Sequence, residues 1–338
     1  MAGEALKLQE ASENGYAASL SSIKEAQRRI APFVHETPLL TSSSLDHLAD
    51  ANLYFKCELF QRGGAYKFRG ASNAVLSLPD DVASKGVITH SSGNHAAAVA
   101  LVARMRGIPS WIVMPHNAPN CKVESVKRYG GSVCFVERCM ETREEACRKL
   151  QAQTGASIIH PFNDARTISG QGTIGLELLE KAPQLDAIVV PISGGSLISG
   201  ISVAAKAMKP SIKIFGVEPI GADDVAQSKA QGKLVILSHT DTIADALRGN
   251  LGPLTWPIAR DLVDDVVTVT DEEIVSAMRM CYEILKVVVE PSGAAGLAAI
   301  LSKQFQAKKT QFDLKHIAII LTGGNVDLSL LSTFFKEK

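Results

Sequence analysis

Short apolar, β-branched runs alternate with longer helical stretches along most of the chain, and that alternation leaves few architectures open. Residues 86–90 (GVITH) read as a strand, followed by the loop SSGNH and the helical run AAAVALVARMRG. Then come a strand at 111–114, a helix around 122–129, a strand at 132–136, a helix around 142–153 and a strand at 157–160. Further strands read at 187–190, 212–217 and 316–321, with helices around 174–181, 197–208 and 272–289. Strands separated by helices of this length form βαβ units, so an α/β fold with mostly parallel sheets flanked by helices is expected. The chain has 338 residues, more than one core usually serves, which predicts two lobes. Connections are short and no repeat or low-complexity tract separates the lobes, so they are expected to interleave.

Composition removes several classes of function. Lys plus Arg equals Asp plus Glu at 35 each, with no long run of one sign, which argues against nucleic acid or an anionic membrane as partner. No apolar run approaches the roughly 18–20 residues a membrane span needs. The N-terminal stretch MAGEALKLQEASENGYAASL has neither a hydrophobic signal core nor an arginine-rich transit pattern, so it reads as a ragged extension of a cytoplasmic protein. Six cysteines (Cys57, Cys121, Cys134, Cys139, Cys147, Cys281) are scattered without a CxxC, as thiols in a large intracellular chain rather than a disulfide framework or zinc site.

In such folds ligands bind beyond the carboxyl ends of the strands. Three loops there carry chemistry. After the strand at 187–190, Ser193-Gly194-Gly195-Ser196 opens a helix; glycines admit an anion to backbone N–H groups and the helix N-terminus adds its dipole. It lacks the lysine of a P-loop, since Ile201 stands there, and it is no GxGxxG; a plain tight βα turn accounts for it equally. Thr89-His90-Ser91-Ser92-Gly93-Asn94-His95 brings hydroxyls, an amide and an imidazole to a helix start, which suits a carboxylate, or a serine N-cap. Leu321-Thr322-Gly323-Gly324-Asn325 is a further glycine turn. Lys67, within Gly63-Gly64-Ala65-Tyr66-Lys67-Phe68, has an apolar setting that favours a nucleophilic amine. A lysine, a phosphate cradle, a carboxylate loop and a hydroxyl-bearing turn are together the parts of a pyridoxal phosphate site.

These residues, in this order, resemble one family. Lys56-Cys57-Glu58, Lys67-Phe68-Arg69-Gly70, THSSGNH, Gly170-Gln171-Gly172-Thr173, the glycine loop, Glu218-Pro219, Glu290-Pro291-Ser292-Gly293 and GGNVDL are similar to the motifs of fold type II, tryptophan synthase β-like pyridoxal phosphate enzymes. The branch is that of the serine racemases and the serine/threonine and 3-hydroxyaspartate dehydratases, and the similarity runs from about Ile23 to Leu331. It implies a large cofactor-binding domain of residues 1–84 and 164–338 and a small domain of residues 85–163. It implies pyridoxal 5'-phosphate as a Schiff base on Lys67, Tyr66 beside the ring, Asn94 on the 3-oxygen, Ser193, Gly194, Gly195, Ser196 and Leu197 on the phosphate, Ala246 near the ring and Thr322 facing the pyridine nitrogen. Ser91, Ser92, Asn94 and His95 are implied for the substrate carboxylate. Glu218, the Ala222 carbonyl and Asp224 match a divalent-cation site suited to Mg²⁺ (or Ca²⁺ or Mn²⁺); the competing reading is that Asp223 or Asp224 caps a helix.

The implied activity is interconversion of L- and D-serine with concurrent elimination of serine to pyruvate and ammonia. Lys67 would serve as base on one face of the substrate and Ser92 on the other; dehydratases of the threonine type carry alanine at the position of Ser92. The alternatives are a dedicated L-threo-3-hydroxyaspartate or L-threonine/L-serine dehydratase and an amino-acid-binding pseudoenzyme. A homodimer and an ATP effector are further implications. Three departures touch substrate preference: SGGS where animal members have only glycine, Ala246 in place of a usual glycine, and Gly249 where a substrate-contacting serine aligns. Arg143 matches an arginine for a second substrate carboxylate, or is an ordinary charge on its helix.

Overall fold

The computed structural model describes residues 15–118, 120–137 and 139–335; residues 1–14 of the expected extension lie outside the described residues. In chain order the strands are β1 (Leu39–Leu40), β2 (Asn52–Cys57), β3 (Val87–His90), β4 (Ser110–Pro115), β5 (Ser132–Val136), β6 (Ser157–Ile158), β7 (Ala187–Pro191), β8 (Lys213–Pro219), β9 (Asp265–Val269) and β10 (His316–Leu321). They form a six-stranded sheet, β1-β2-β10-β7-β8-β9, and a four-stranded sheet, β5-β4-β3-β6. β1 runs antiparallel to β2 and the other pairings are parallel, as the alternation with helices requires.

The central strands of the larger sheet are buried on both faces. Ile317, Ile319 and Leu321 of β10 pack with Phe55, Val189 and Phe215, while Ala318 and Ile320 face Ile188, Val190 and Ile214 on the other side. That is why β7 and β10 read as continuous apolar runs. The smaller sheet rests on the alanine-rich helix Asn94–Arg106, where Ala96, Val99, Ala100 and Ala103 meet Val87, Ile112 and Met114. Among the described residues no helix is long and apolar enough to cross a membrane.

Two expected elements are shorter than their sequence suggests. β6 ends at Ile158, not at 160, because its pairing with β3 stops there and His160 turns to hold the N–H groups of Phe162 and Asn163 on its Nδ1. The helix expected over 272–289 spans Asp271–Met280, continues as a single π turn Cys281–Leu285, and closes at Lys286 with φ +59°. The run Val287-Val288-Val289 then continues as extended chain towards Glu290-Pro291, consistent with the poor helix propensity of β-branched residues and with proline at the start of the next helix. Conversely, the helix expected from 174 begins at Ala165. Gly170 and Gly172 lie inside it because backbones approach there: a Cβ would stand 2.7 Å from the Arg69 carbonyl oxygen and 2.9 Å from that of Gly200.

Candidate active site

Register in the larger sheet brings the lysine loop and the Thr322 turn together. Cys57 pairs with Leu321, so the chain leaves β2 and β10 at the same edge. Ala65 bridges Gly323, the Tyr66 N–H donates to the Thr322 carbonyl at 3.0 Å, and the Gly324 N–H to the Gly64 carbonyl at 2.9 Å. The helix Lys67–Leu76 therefore starts from a point fixed by β10. Lys67 Nζ lies 5.2 Å from the centre of the Tyr66 ring and donates to the Pro161 carbonyl at 2.8 Å. Desolvation lowers its pKa to about 8, so an appreciable part of it is free amine near neutral pH.

A buried ion network holds that helix from below. Arg69, two residues after Lys67, places Nε 2.8 Å and Nη2 2.9 Å from the two Glu58 oxygens, and grips Glu177 at 2.5 and 2.9 Å. Lys56 completes it with 2.6 Å to Glu177. Two cations and two carboxylates balance, and Arg69, Lys56 and Glu58 are essentially fully buried.

The glycine loop follows β7. Only Gly195 in it has positive φ, at +86°, so Ser193 and Ser196 keep conformations open to any residue. A Cβ on Gly194 would fall 2.1 Å from the Phe162 ring, which packs flat on the loop. The Ser196 hydroxyl, at the first turn of the helix Ser196–Met208, is buried and has no partner among the described residues. An orphaned hydroxyl beside glycines at a helix N-terminus is a set of donors awaiting an anion, and a cofactor phosphate fits it.

From the smaller sheet, the loop after β3 carries Ser91, Ser92, Asn94 and His95. The serines do not cap the helix: Gly93 occupies the N-cap position without a side-chain bond, and Ser91 Oγ accepts only the Gly93 N–H, at 3.3 Å. Ser92 is half-buried in the bend. Asn94 reaches over to the Thr322 side, where Nδ2 donates to Glu290 Oε1 at 2.6 Å and Oδ1 accepts from Asn325 Nδ2 at 2.9 Å. His95 is buried, and desolvation, then the Lys67 charge, hold its pKa well below the usual imidazole range. His160, edge-on to His90 and Phe162, is pushed down to about 4 by burial first and by His90 next. Arg143 lies on the helix Met140–Thr154; burial first holds the His90 pKa below the usual imidazole range, with Glu144 opposing and Arg143 adding to that shift.

Ala246 sits in the turn Asp245–Leu247, its N–H on Ser292 Oγ at 3.0 Å. Asp245 beside it pairs with Lys122, which belongs to a helix following β4. Glu218 and Asp224 are buried and adjacent; desolvation, then mutual repulsion, raises Glu218 well above the carboxylate range, and desolvation raises Asp224 to about 6. The capping alternative fails as stated. Glu218 itself accepts the N–H groups of Val225 and Ala226 at 3.1 and 2.9 Å, while Asp223 makes no cap bond and Asp224 accepts from Leu251 N–H. Among the described residues no cluster of three or more His, Cys, Asp or Glu has metal-binding geometry, but two carboxylates buried side by side, with Glu218 raised by desolvation and then by Asp224, are hard oxygen donors that would suit a divalent cation.

Sequence reading passed over Glu290, Phe162, Pro161 and Asn325 as site residues. Glu290 is buried with its pKa raised to about 7, by desolvation first and then by Asp245, and it carries the bond that orients Asn94. Its motif was visible; the contact of Phe162 with Gly194, 32 positions away, left no local signal.

A desolvated lysine next to the Thr322 turn, on a chain that also carries a glycine loop at a helix N-terminus, is compatible with pyridoxal phosphate. Residues 30–323 match the family model "Pyridoxal-phosphate dependent enzyme". The chain thus belongs to the pyridoxal-phosphate dependent enzymes of fold type II, as an enzyme of the racemase and ammonia-lyase type. It is 60% identical over 321 residues to a serine racemase of Oryza sativa subsp. indica, covering 95% of each chain. It is 60% identical over 328 residues to a serine racemase of Arabidopsis thaliana, covering 97% of this chain and 99% of that one. The solved structure of maize serine racemase superposes with a TM-score of 0.92 at 59% identity, covering 94% of this chain and 97% of that one.

Proposed function

We propose that the chain interconverts L- and D-serine and also eliminates serine to pyruvate and ammonia. The observation that carries this reading is the desolvated Lys67 amine, held between the Thr322 turn and the Pro161 carbonyl. Bound pyridoxal phosphate supplies an electron sink for negative charge at the substrate α-carbon. Ser193, Gly194, Gly195, Ser196 and Leu197 would hold its phosphate, Tyr66 and Ala246 would line its ring, and Asn94 and Thr322 would serve its 3-oxygen and pyridine nitrogen. A threonine hydroxyl can donate a hydrogen bond there but cannot keep a pyridinium proton as an aspartate does. Ser91, Ser92, Asn94 and His95 hold the substrate carboxylate, and the neutral His95 contributes without a full charge of its own. Lys67 takes the α-proton from one face. Ser92 works from the opposite face, which racemisation needs and elimination from one enantiomer does not.

Glu218, Asp224 and the Ala222 carbonyl would hold Mg²⁺, Ca²⁺ or Mn²⁺ in the same reading, supported by the burial of the two carboxylates side by side. Residues 85–163, which carry β3 to β6, act as a small domain against a large domain of residues 1–84 and 164–338. A cytoplasmic homodimer with a nucleotide response rests on the family resemblance. The test is Ser92→Ala incubated with L-serine, D-serine followed by chiral chromatography and pyruvate by enzymatic assay. D-serine formation falls by about two orders of magnitude or more, the lower range for a general acid–base group, while pyruvate formation persists. Equal loss of both refutes the two-face assignment.

A further inference from the structure

The segment from Thr242 to Leu251 is a strap tied at intervals to elements around the glycine loop. Asp245 pairs with Lys122, the Ala246 N–H donates to Ser292 Oγ at 3.0 Å, and the Leu251 N–H to Asp224 Oδ2 at 3.0 Å. One tie reaches the glycine loop: the Gly249 N–H donates to Ser193 Oγ at 3.0 Å. The same hydroxyl limits what can stand opposite it. A Cβ on Gly249 would lie 2.8 Å from Ser193 Oγ and 3.6 Å from the Gly194 nitrogen. The first distance is shorter than a carbon–oxygen contact tolerates, and the second points any side chain at 249 onto the loop.

We propose that Ser193 is a positioning residue for this strap and that residues 193 and 249 form one interdependent pair. The Ser193 hydroxyl accepts the Gly249 N–H and fills the volume of a side chain at 249, so the strap takes its height above the glycine loop from residue 193. Ala246 rides on the strap, and with it the wall facing the substrate. Accepting the Gly249 N–H takes one lone pair of the oxygen and leaves its proton available to an anion in the loop. A serine in this glycine loop is thus one bond linking the phosphate cradle to the substrate wall. The inference rests on the proposed function above, since it assumes that the strap borders the substrate.

The experiment compares holoenzyme forms of the wild type, Ser193→Ala, Gly249→Ser and the double variant Ser193→Gly/Gly249→Ser. KM and kcat are measured for L-serine and L-threonine, and bound cofactor by absorbance. Losing the bond to a backbone N–H in Ser193→Ala raises KM for L-serine roughly tenfold, with a smaller change in kcat, and shifts the threonine-to-serine ratio of kcat/KM. Gly249→Ser alone loses more, and the double variant recovers most of that loss, because the hydroxyl has only changed sides. A Ser193→Ala enzyme with KM and ratio within about twofold of wild type overturns the proposal, even if Gly249→Ser fails to fold. Additive losses in the double variant overturn it equally. A wild-type protein without cofactor absorbance would instead overturn the site itself, which separates the two failures.

Discussion

An unperturbed lysine loses its proton near pH 10.5, whereas Lys67 does so near 8, because its ammonium is buried and, among the described residues, has no carboxylate partner and donates to the Pro161 carbonyl. The charged form is the one penalised, so the amine fraction grows as pH rises through about 8. Incorporation of pyridoxal phosphate into the apo chain is therefore expected to accelerate with pH to a half-maximum near 8, followed by stopped-flow absorbance. A half-maximum near 10.5 contradicts the burial argument. At this scale the sequence was informative where a residue's neighbours in the chain are also its neighbours in space. The glycines and aromatics around Lys67 announced its apolar environment, and Ser193 to Leu197 announced a tight turn from strand to helix. Ser193 and Gly249 looked like two unrelated departures from family usage, and only the 3.0 Å bond between them shows that they belong together. Glu290 was quoted within its motif, yet its hold on Asn94 spans 196 positions.

The helix Lys67–Leu76 owes its placement to Arg69 more than to its own propensity. Buried ion pairs add little net stability when complete, but removal of one partner strands the rest. Arg69→Met leaves Glu58 and Glu177 with only Lys56 between them, and a loss of roughly 3–5 kcal/mol in urea unfolding is expected, together with weakened cofactor retention. A loss below about 1 kcal/mol would mean that the network does not hold the helix. Strands β7 and β10 were legible because both of their faces are buried. β1, at two residues, and β9 (DVVTV) at the sheet edge gave no comparable run. The helix Ala165–Lys181 was half-hidden for the opposite reason: its glycines, poor helix formers, are there to admit Arg69 and Gly200 to close backbone contact.

Across the whole molecule, the strap connects Asp224 of the carboxylate pair to the glycine loop and to Ser292. Saturating Mg²⁺ is expected to raise the thermal midpoint by about 2–4 °C, reversibly with EDTA, and Asp224→Asn to abolish that response. An unchanged midpoint in the wild type would assign the carboxylates to capping and strap anchoring alone. The mostly parallel sheets followed from the alternation of strands and helices, whereas the order β1-β2-β10-β7-β8-β9 depends on long-range pairing that no local pattern encodes. The central claim is that Lys67 carries amino-acid chemistry at the α-carbon, and the most direct measurement is chiral chromatography of L-serine incubated with the holoprotein and with Lys67→Ala. D-serine accumulates with the first and stays at background with the second; no D-serine from the wild type, or equal amounts from both, would contradict the account.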